Sequence, residues 1–257
     1  MKTLLLITAA AMTLTFAGIA SAADLPLKAA PRVAPPFSWT GCYLGGTLGG
    51  AFARKDVTDP VQLVQDSFNG APVTQGITTA RLSPDGAIIG GQIGCDYQFA
   101  GNAVIGIEGF AAGLTNKSSN DVLLPLGSPD IATVQATTDF LTSVTGRLGY
   151  AFDSVLVYGR GGVAMAGDKY VVFGSFLGTP FSFTGLENRF GWVAGAGVEW
   201  AFSPHWSVNF EYDYYGFGTR SVTMFDAGNV FLGSVKVRQD IQVAKVGLNF
   251  HSWGLGW

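Results

Sequence analysis

The sequence predicts an all-β protein, an eight-stranded antiparallel up-and-down transmembrane β-barrel. Between Trp39 and Phe250, eight segments alternate apolar with small or polar residues, and the connections between them alternate long and short. Charged residues make up only 13% of the chain, whereas the chain contains 36 glycines and 13% aromatic residues. Outer-membrane barrels combine an even strand number with long connections at one end and tight turns at the other.

Each predicted strand is long enough for the roughly 9–11 residues with which a tilted strand crosses a bilayer. The predicted strands are 39–52, 86–99, 103–114, 139–152, 154–167, 189–202, 206–219 and 239–250. The long polar connections are 53–85, 115–138, 168–188 and 220–238, and the tight links are 100–102, 153 and 203–205. Beyond the N-terminus no run of about 18 apolar residues occurs, so any further crossing has to be made by strands.

The N-terminus indicates export. Lys2, an apolar run over 4–20 and the small residues Ala20-Ser21-Ala22 predict a signal peptide over 1–22 that is cleaved after Ala22. A membrane anchor is the alternative, but the run is short and ends in a processing site. Residues 23–38, rich in Pro and Ala, are predicted to be an extended periplasmic leader, and 251–257 a C-terminal extension after the barrel at 39–250.

Side chains of a strand alternate between two faces, so each predicted strand should present one face to lipid and one to the lumen. In the sixth predicted strand, for example, Phe190, Trp192 and Trp200 oppose Gly195 and Glu199. Aromatic residues gather near the strand ends, as expected of a girdle at the membrane interface. The predicted girdle contains Trp39, Tyr43, Tyr97, Phe99, Tyr150, Phe152, Trp200, Phe202, Trp206 and Phe250.

The polar residues of the opposite face are predicted to fill the lumen, because a cation facing lipid at mid-bilayer would cost roughly 2–4 kcal/mol. An eight-stranded barrel is just wide enough for side chains to fill, so the three cations are expected to pair with several of the acids. The predicted lumen charge network is Asp96, Glu108, Arg147, Arg160, Glu199, Glu211, Asp213 and Lys245, with Gln92, Asn209 and Asn249 on the same face.

The residues for catalysis or metal binding are sparse, so the protein is predicted not to be an enzyme. His205 and His251 are the two histidines, and both are expected on the surface at the periplasmic end. No H-E-x-x-H, Walker or C-x-x-C motif occurs, and the strand glycines precede no helix. The net charge of −3 and the lack of a basic run argue against a nucleic-acid partner.

Cys42 and Cys95 lie toward the short-turn ends of the first two predicted strands. In an export compartment they could form a cross-strand disulfide, or they could remain two reduced thiols whose geometry forbids a bond. Mass spectrometry without reduction distinguishes these alternatives, since two free thiols per chain would contradict the disulfide.

Several segments resemble the small porin-family outer-membrane β-barrels of alphaproteobacteria, a group that includes surface antigens and haemin-binding proteins. The resemblance covers nearly the whole mature chain. It is carried by Ala22-Ala23-Asp24-Leu25-Pro26, Trp39-Thr40-Gly41-Cys42-Tyr43-Leu44-Gly45-Gly46, Gly91-Gln92-Ile93-Gly94-Cys95-Asp96-Tyr97-Gln98 and Thr145-Gly146-Arg147-Leu148-Gly149-Tyr150.

The resemblance implies outer-membrane lipids as surroundings, and insertion by the barrel-assembly machinery after export. The segment ending at Phe250 resembles the terminal insertion signal, but the chain continues to Trp257, so either aromatic could be the one recognised. Haem is implied as a ligand by the resemblance alone, and no cofactor is otherwise expected.

Four functions remain open from the sequence. A structural barrel would present its loops to host or envelope partners and keep a largely filled lumen. A narrow porin would pass small solutes, although aqueous porins use about 16–18 strands. Haem or another ligand could be captured by the external loops, and a soluble secreted ligand carrier with eight strands is the fourth alternative.

Overall fold

The computed structural model describes residues 37–58, 79–123, 131–176, 178–225 and 231–253. The predicted signal peptide and residues 23–36 of the predicted leader lie outside these ranges. The described residues form one antiparallel sheet of nine strands. The strands are β1 Gly41–Thr58, β2 Thr79–Leu82, β3 Asp85–Gln98, β4 Ala103–Leu123, β5 Ile131–Phe152, β6 Val155–Phe176, β7 Thr179–Ser203, β8 Trp206–Phe225 and β9 Phe231–Trp253.

The sheet closes into a ring. Consecutive strands pair in up-and-down order, and β1 pairs with β9 from Gly41 opposite Trp253 to Thr58 opposite Lys236. Strands β2 and β3 both pair with β1 and are separated by Ser83-Pro84, so together they occupy one position in the ring. Proline has no N–H to donate to a ladder, which accounts for the interruption there. The ring therefore has eight positions, and the predicted fold class is confirmed.

The strands are longer than predicted, and the predicted long connections are wrong over much of their length. Strand β4 ends at Leu123, β5 begins at Ile131, β6 ends at Phe176 and β7 begins at Thr179. Within 53–85, 115–138, 168–188 and 220–238, many described residues therefore belong to strands. The last strand likewise continues to Trp253, three residues into the predicted extension 251–257.

Tight turns connect the strands at one end of the barrel, hereafter the short-turn end. These turns follow β3, β5 and β7, as predicted. Asn102 and Asp153 adopt positive φ angles of 64° and 57°. Asn and Asp tolerate this left-handed conformation better than other non-glycine residues, which suits them to reversing the chain in few residues.

An apolar belt surrounds the half of the barrel nearest the short-turn end. Leu44, Leu48 and Phe52 of β1 are each more than half exposed, and the other strands carry similar side chains at the same level. Strands of 18–25 residues extend well beyond the belt, since a barrel's apolar band is about 25 Å tall and each residue adds about 3.3 Å. None of the described residues forms a helix long and apolar enough to cross a membrane.

The predicted girdle is partly correct. Tyr97, Phe99, Tyr150 and Phe152 are about half exposed at the short-turn edge of the belt, as are Trp200, Phe202, Trp206 and Phe250. Trp39 and Tyr43 are instead buried, at 1% and 2% exposure. Trp39 closes the short-turn end, where its indole Nε1 donates to the Asp153 carbonyl at 3.2 Å. Trp39 and Tyr43 lie at the start of the first predicted strand, where girdle residues are expected, but both rings face inward.

Cys42 and Cys95 stand opposite each other in the β1–β3 ladder and form a disulfide. Both side chains are exposed on the outer face near the short-turn end. The bond therefore links two neighbouring strands without entering the lumen.

Glycines of the barrel wall fall into two groups, according to whether a Cβ atom added there would point into the lumen or outward. A Cβ on Gly49, which points inward, would lie 2.2 Å from the Ala244 carbonyl oxygen and 2.7 Å from the Lys245 Cα. A Cβ on Gly50, which points outward, would meet the Phe52 ring at an ordinary 3.5 Å. Inward glycines such as Gly49 therefore let the narrow lumen close around its side chains.

We expect Gly49→Ala to destabilise the barrel by about 1–3 kcal/mol because the methyl group overlaps backbone atoms of β9. The matched variant Gly50→Ala should remain within about 1 kcal/mol of the wild type, since alanine relieves glycine's entropic cost. Urea unfolding of the refolded protein, followed by tryptophan fluorescence, measures both. Equal stability of the two variants would contradict this account of the wall.

The lumen as candidate functional site

Inward-facing residues fill the barrel in alternating apolar and polar layers along its axis. From the short-turn end, an apolar layer contains Trp39, Val104, Ala151, Leu156, Tyr158 and Ala201. A second apolar layer at mid-barrel contains Phe110, Leu141, Val193, Tyr215, Ile241 and Val243, among others. A third, beyond the belt, contains Val57, Leu82, Val134, Ala136, Tyr170, Val172, Phe181, Phe183, Val222, Met224, Val235 and Val237. Two charged layers lie between the three apolar ones.

The charged layer nearer the short-turn end, here the lower network, holds all eight predicted lumen charges. Each is buried, with a residue exposure of 6% or less. They come from seven strands, because alternate inward positions of neighbouring strands converge in a narrow barrel. The lower network consists of Asp96, Glu108, Arg147, Arg160, Glu199, Glu211, Asp213 and Lys245.

Arg147 lies among three carboxylates of the lower network. Its guanidinium contacts Glu199 at 2.7 Å, Asp96 at 3.4 Å and Glu108 at 3.5 Å. It also lies over the Tyr158 ring, with Cζ 4.0 Å from the ring centroid. The delocalised guanidinium suits such a site, since it can donate to several acceptors and stack on an aromatic face at once.

Arg160 and Lys245 connect the rest of the lower network. Arg160 Nη1 lies 2.6 Å from both Glu108 and Glu211. Lys245 Nζ lies 2.7 Å from Glu211 and 3.1 Å from Asp213. Because Glu108 and Glu211 each serve two cations or more, the eight residues form one continuous network across the barrel.

Neutral side chains donate further hydrogen bonds to the three glutamates of the lower network. Tyr43 donates to Glu108 at 2.6 Å, and Tyr158 donates to Glu211. Asn249 donates to Glu199 at 2.8 Å and accepts from Gln92 at 2.7 Å. Gln92, Asn209 and Asn249 were predicted on this face, whereas the two tyrosines were not.

The sequence predicted His251 on the surface, and this prediction is wrong. The side chain faces the lumen and is 8% exposed. The reason is that β9 continues past Phe250, so alternation turns the next side chain inward. His251 Nε2 lies 2.8 Å from Ser207 Oγ and 3.4 Å from Glu199 Oε1. His205, in the turn between β7 and β8, is half-exposed as expected.

The Ser207, His251 and Glu199 group differs from a hydrolase triad. In a triad the carboxylate orients the histidine through one ring nitrogen while the other accepts the serine proton. Here Glu199 and Ser207 both meet the same nitrogen, Nε2, and Glu199 also accepts from Ser207. The rings of Phe37, Trp39 and Tyr43 pack around His251. This geometry suits a buried hydrogen-bond cluster.

A second charged layer, here the upper network, lies beyond the belt and was missed by the sequence prediction. Lys55 Nζ contacts Asp168 Oδ1 at 2.7 Å and Thr138 Oγ1 at 2.8 Å. Gln239 donates to the same Asp168 oxygen at 3.3 Å. The side chains of Lys55 and Asp168 are fully buried. These residues fell within or beside predicted loops, although Lys55 keeps the parity of Ala51 and Ala53.

Arg189 joins the upper network where the barrel wall is irregular. The β7–β8 ladder has no paired residues between Thr184 and Trp192. On the inner face of this stretch, Arg189 donates to the Val237 carbonyl of β9 at 2.9 Å and to Glu187 at 3.2 Å. The guanidinium thus supplies a hydrogen bond across a part of the wall that the β7–β8 ladder does not hold together.

The closed sheet, the apolar belt and the charge-filled interior together define an outer-membrane β-barrel. The chain matches the outer membrane protein beta-barrel domain over residues 8–250, and it belongs to this family. The resemblance noted from the sequence is therefore confirmed, and the protein resides in the bacterial outer membrane. In such barrels the short turns face the periplasm and the long connections face outward.

Among its relatives is the 31 kDa outer-membrane immunogenic protein of Brucella melitensis, 30% identical over 97% of this chain and 99% of that protein. The 25 kDa outer-membrane immunogenic protein of Brucella abortus is 26% identical over 97% of this chain and 98% of that protein. The crystal structure of the outer membrane protease OmpT from Escherichia coli aligns with a TM-score of 0.52, covering 86% of this chain and 99% of that one. At 7% identity this likeness concerns the fold alone.

We expect Arg160→Met to cost about 3–5 kcal/mol of unfolding free energy, because it leaves Glu108, Glu211 and Asp213 buried without their shared cation. Arg238→Met is the matched control, since its pair with Asp240 is exposed and worth about 1 kcal/mol or less. Urea unfolding of both variants provides the comparison. Equal losses would show that the lower network is accessible to water.

Proposed function

We propose that the protein is a closed structural barrel that carries a rigid β-extension above the outer membrane and interacts with external partners through its outer connections. The extension is the part of the barrel beyond the apolar belt, where the strands enclose the third apolar layer. The protein is neither a channel nor an enzyme on this proposal. The observation that carries the proposal is the third apolar layer, which fills the interior of the extension.

The layered interior opposes conduction. An ion moving along the axis would have to cross three apolar layers, and at both charged layers it would have to separate buried ion pairs. The side chains of the central pairs are 0–1% exposed, so no water shell is available to replace the lost contacts. Each layer is therefore a barrier in its own right.

The extension supports the surface role. Its inner face is packed and its outer face carries exposed polar side chains such as Arg54, Asn188, Thr219 and Lys236. A packed, closed segment holds the connecting loops at a fixed distance from the membrane, and loops on a rigid scaffold are the usual place for recognition. Haem capture, implied by the family resemblance, would have to use those outer connections or the outer surface of the extension.

A planar-bilayer recording tests the closed lumen. The refolded protein, with insertion verified by heat-modifiable gel migration, should give no reproducible conductance steps. The variant Arg147→Ala/Glu199→Ala should also be silent, because the apolar layers on both sides of the lower network remain. Reproducible channels in the wild type that these substitutions alter would establish transport through the lumen instead.

Surface display is tested on intact cells. A short epitope tag inserted into the connection 124–130 should bind antibody without permeabilisation, because this connection joins β4 and β5 at the outward end. The same tag inserted into the turn at 153–154 should be detected only after the outer membrane is permeabilised. Antibody binding to both tags, or only to the second, on intact cells would contradict the proposed orientation.

A further inference from the structure

Exposed cations gather on one side of the extension, just above the apolar belt. They are Arg54 on β1, Arg81 on β2, and Lys236 and Arg238 on β9. In the ring these strands are neighbours, in the order β9, β1 and β2. These four residues are called the basic face below.

The register sets the height of the basic face above the belt. Phe52 opposite Gln242 marks the upper edge of the belt on β1 and β9. Further outward, the successive outward-facing pairs are Arg54 with Asp240, Asp56 with Arg238, and Thr58 with Lys236. Each step of two residues rises about 5 Å along the membrane normal, given about 3.3 Å per residue and a tilt of about 40°. The cations therefore occupy the headgroup zone and the space directly above it.

The basic face has an excess of positive charge. Its carboxylates are Asp56, which pairs with Arg81 at 3.0 Å, Asp240, which pairs with Arg238 at 3.5 Å, and Asp85 on β3, which stands opposite Phe52 at the upper edge of the belt. Among the described residues, no carboxylate lies within ion-pair distance of Arg54 or Lys236. Two cations therefore remain available to an external anion.

The opposite wall lacks this excess. Among the side chains that the structure describes on that wall, the exposed charged ones just above the belt are Asp139 on β5 and Lys169 on β6. The positive charge is thus a property of one side of the barrel and does not surround it.

We propose that the basic face binds the phosphate groups of a glycolipid in the outer leaflet of the outer membrane. Arginine forks bind phosphate oxygens in pairs, and basic side chains at headgroup height are the usual means of holding anionic lipids. The exposed apolar side chains of Leu48, Phe52 and Val246 lie below the cations on the same two strands. One lipid molecule can therefore place its phosphate on the basic face and its acyl chains on the belt. A soluble anion would use the cations alone.

The test measures binding of bis-phosphorylated lipid A to the full-length protein in non-ionic detergent by native mass spectrometry. Arg54→Gln/Lys236→Gln removes the two cations without leaving a paired carboxylate behind. Lys169→Gln is the control, because it removes an exposed cation from β6 of the opposite wall. Heat-modifiable migration verifies that each variant is folded.

We expect the first variant to bind bis-phosphorylated lipid A about tenfold to thirtyfold more weakly than the wild type, since each basic residue near a membrane surface contributes about threefold to fivefold. The affinity of the control variant should stay within about twofold of the wild-type affinity, because a substitution at an independent site leaves it nearly unchanged. Enzymatically dephosphorylated lipid A should bind the wild type as weakly as the first variant binds the phosphorylated lipid.

Three results would overturn the proposal. Equal affinity of the wild type for the two lipids would mean that the belt alone binds them. Equal weakening in the two variants would mean a general effect of net charge. Binding of inorganic pyrophosphate or heparin that Arg54→Gln/Lys236→Gln abolishes, while lipid A binding is unchanged, would assign the basic face to a soluble anion.

Discussion

Pairing of β1 with β9 satisfies the backbone hydrogen bonds of both edge strands, and the other features of the structure depend on this closure. In hydrocarbon an unpaired N–H or C=O costs several kcal/mol, so a sheet can cross a membrane only as a ring. Once the ring is closed with eight positions, its interior is narrow. Every inward side chain must then meet side chains from across the barrel, which explains both the inward glycines and the shared carboxylates.

Closure also leaves a single layer of backbone between the lipid outside the barrel and the packed interior. Outward residues within the belt must be apolar, whereas inward residues can be charged if their partners are within reach. Arg160 illustrates this, because its cost of burial is offset by Glu108 and Glu211 from two different strands. Such contacts across the lumen depend on strand register, so a slip of one strand would leave charges buried without partners.

Above the belt the same alternation serves a different purpose. The inner face becomes apolar again at Val57, Val172 and Val237, and the outer face becomes polar and basic. A soluble β-structure with its own core thus continues directly from the membrane barrel. This continuity places the outer connections on a rigid support and brings the basic face to the height of lipid headgroups.

The sequence alone determined the eight positions of the ring, the direction of alternation and the identity of the eight lower-network residues, because period-two patterning and the cost of charge in lipid act locally on each strand. It did not locate the upper network, since Lys55, Asp168 and Arg189 lie where polar residues on both faces hide the strand pattern. The inward positions of Tyr43 and His251, and the partner of each cation, were decided by tertiary structure. They depend on the register between distant strands and on where β9 ends, which no single segment encodes.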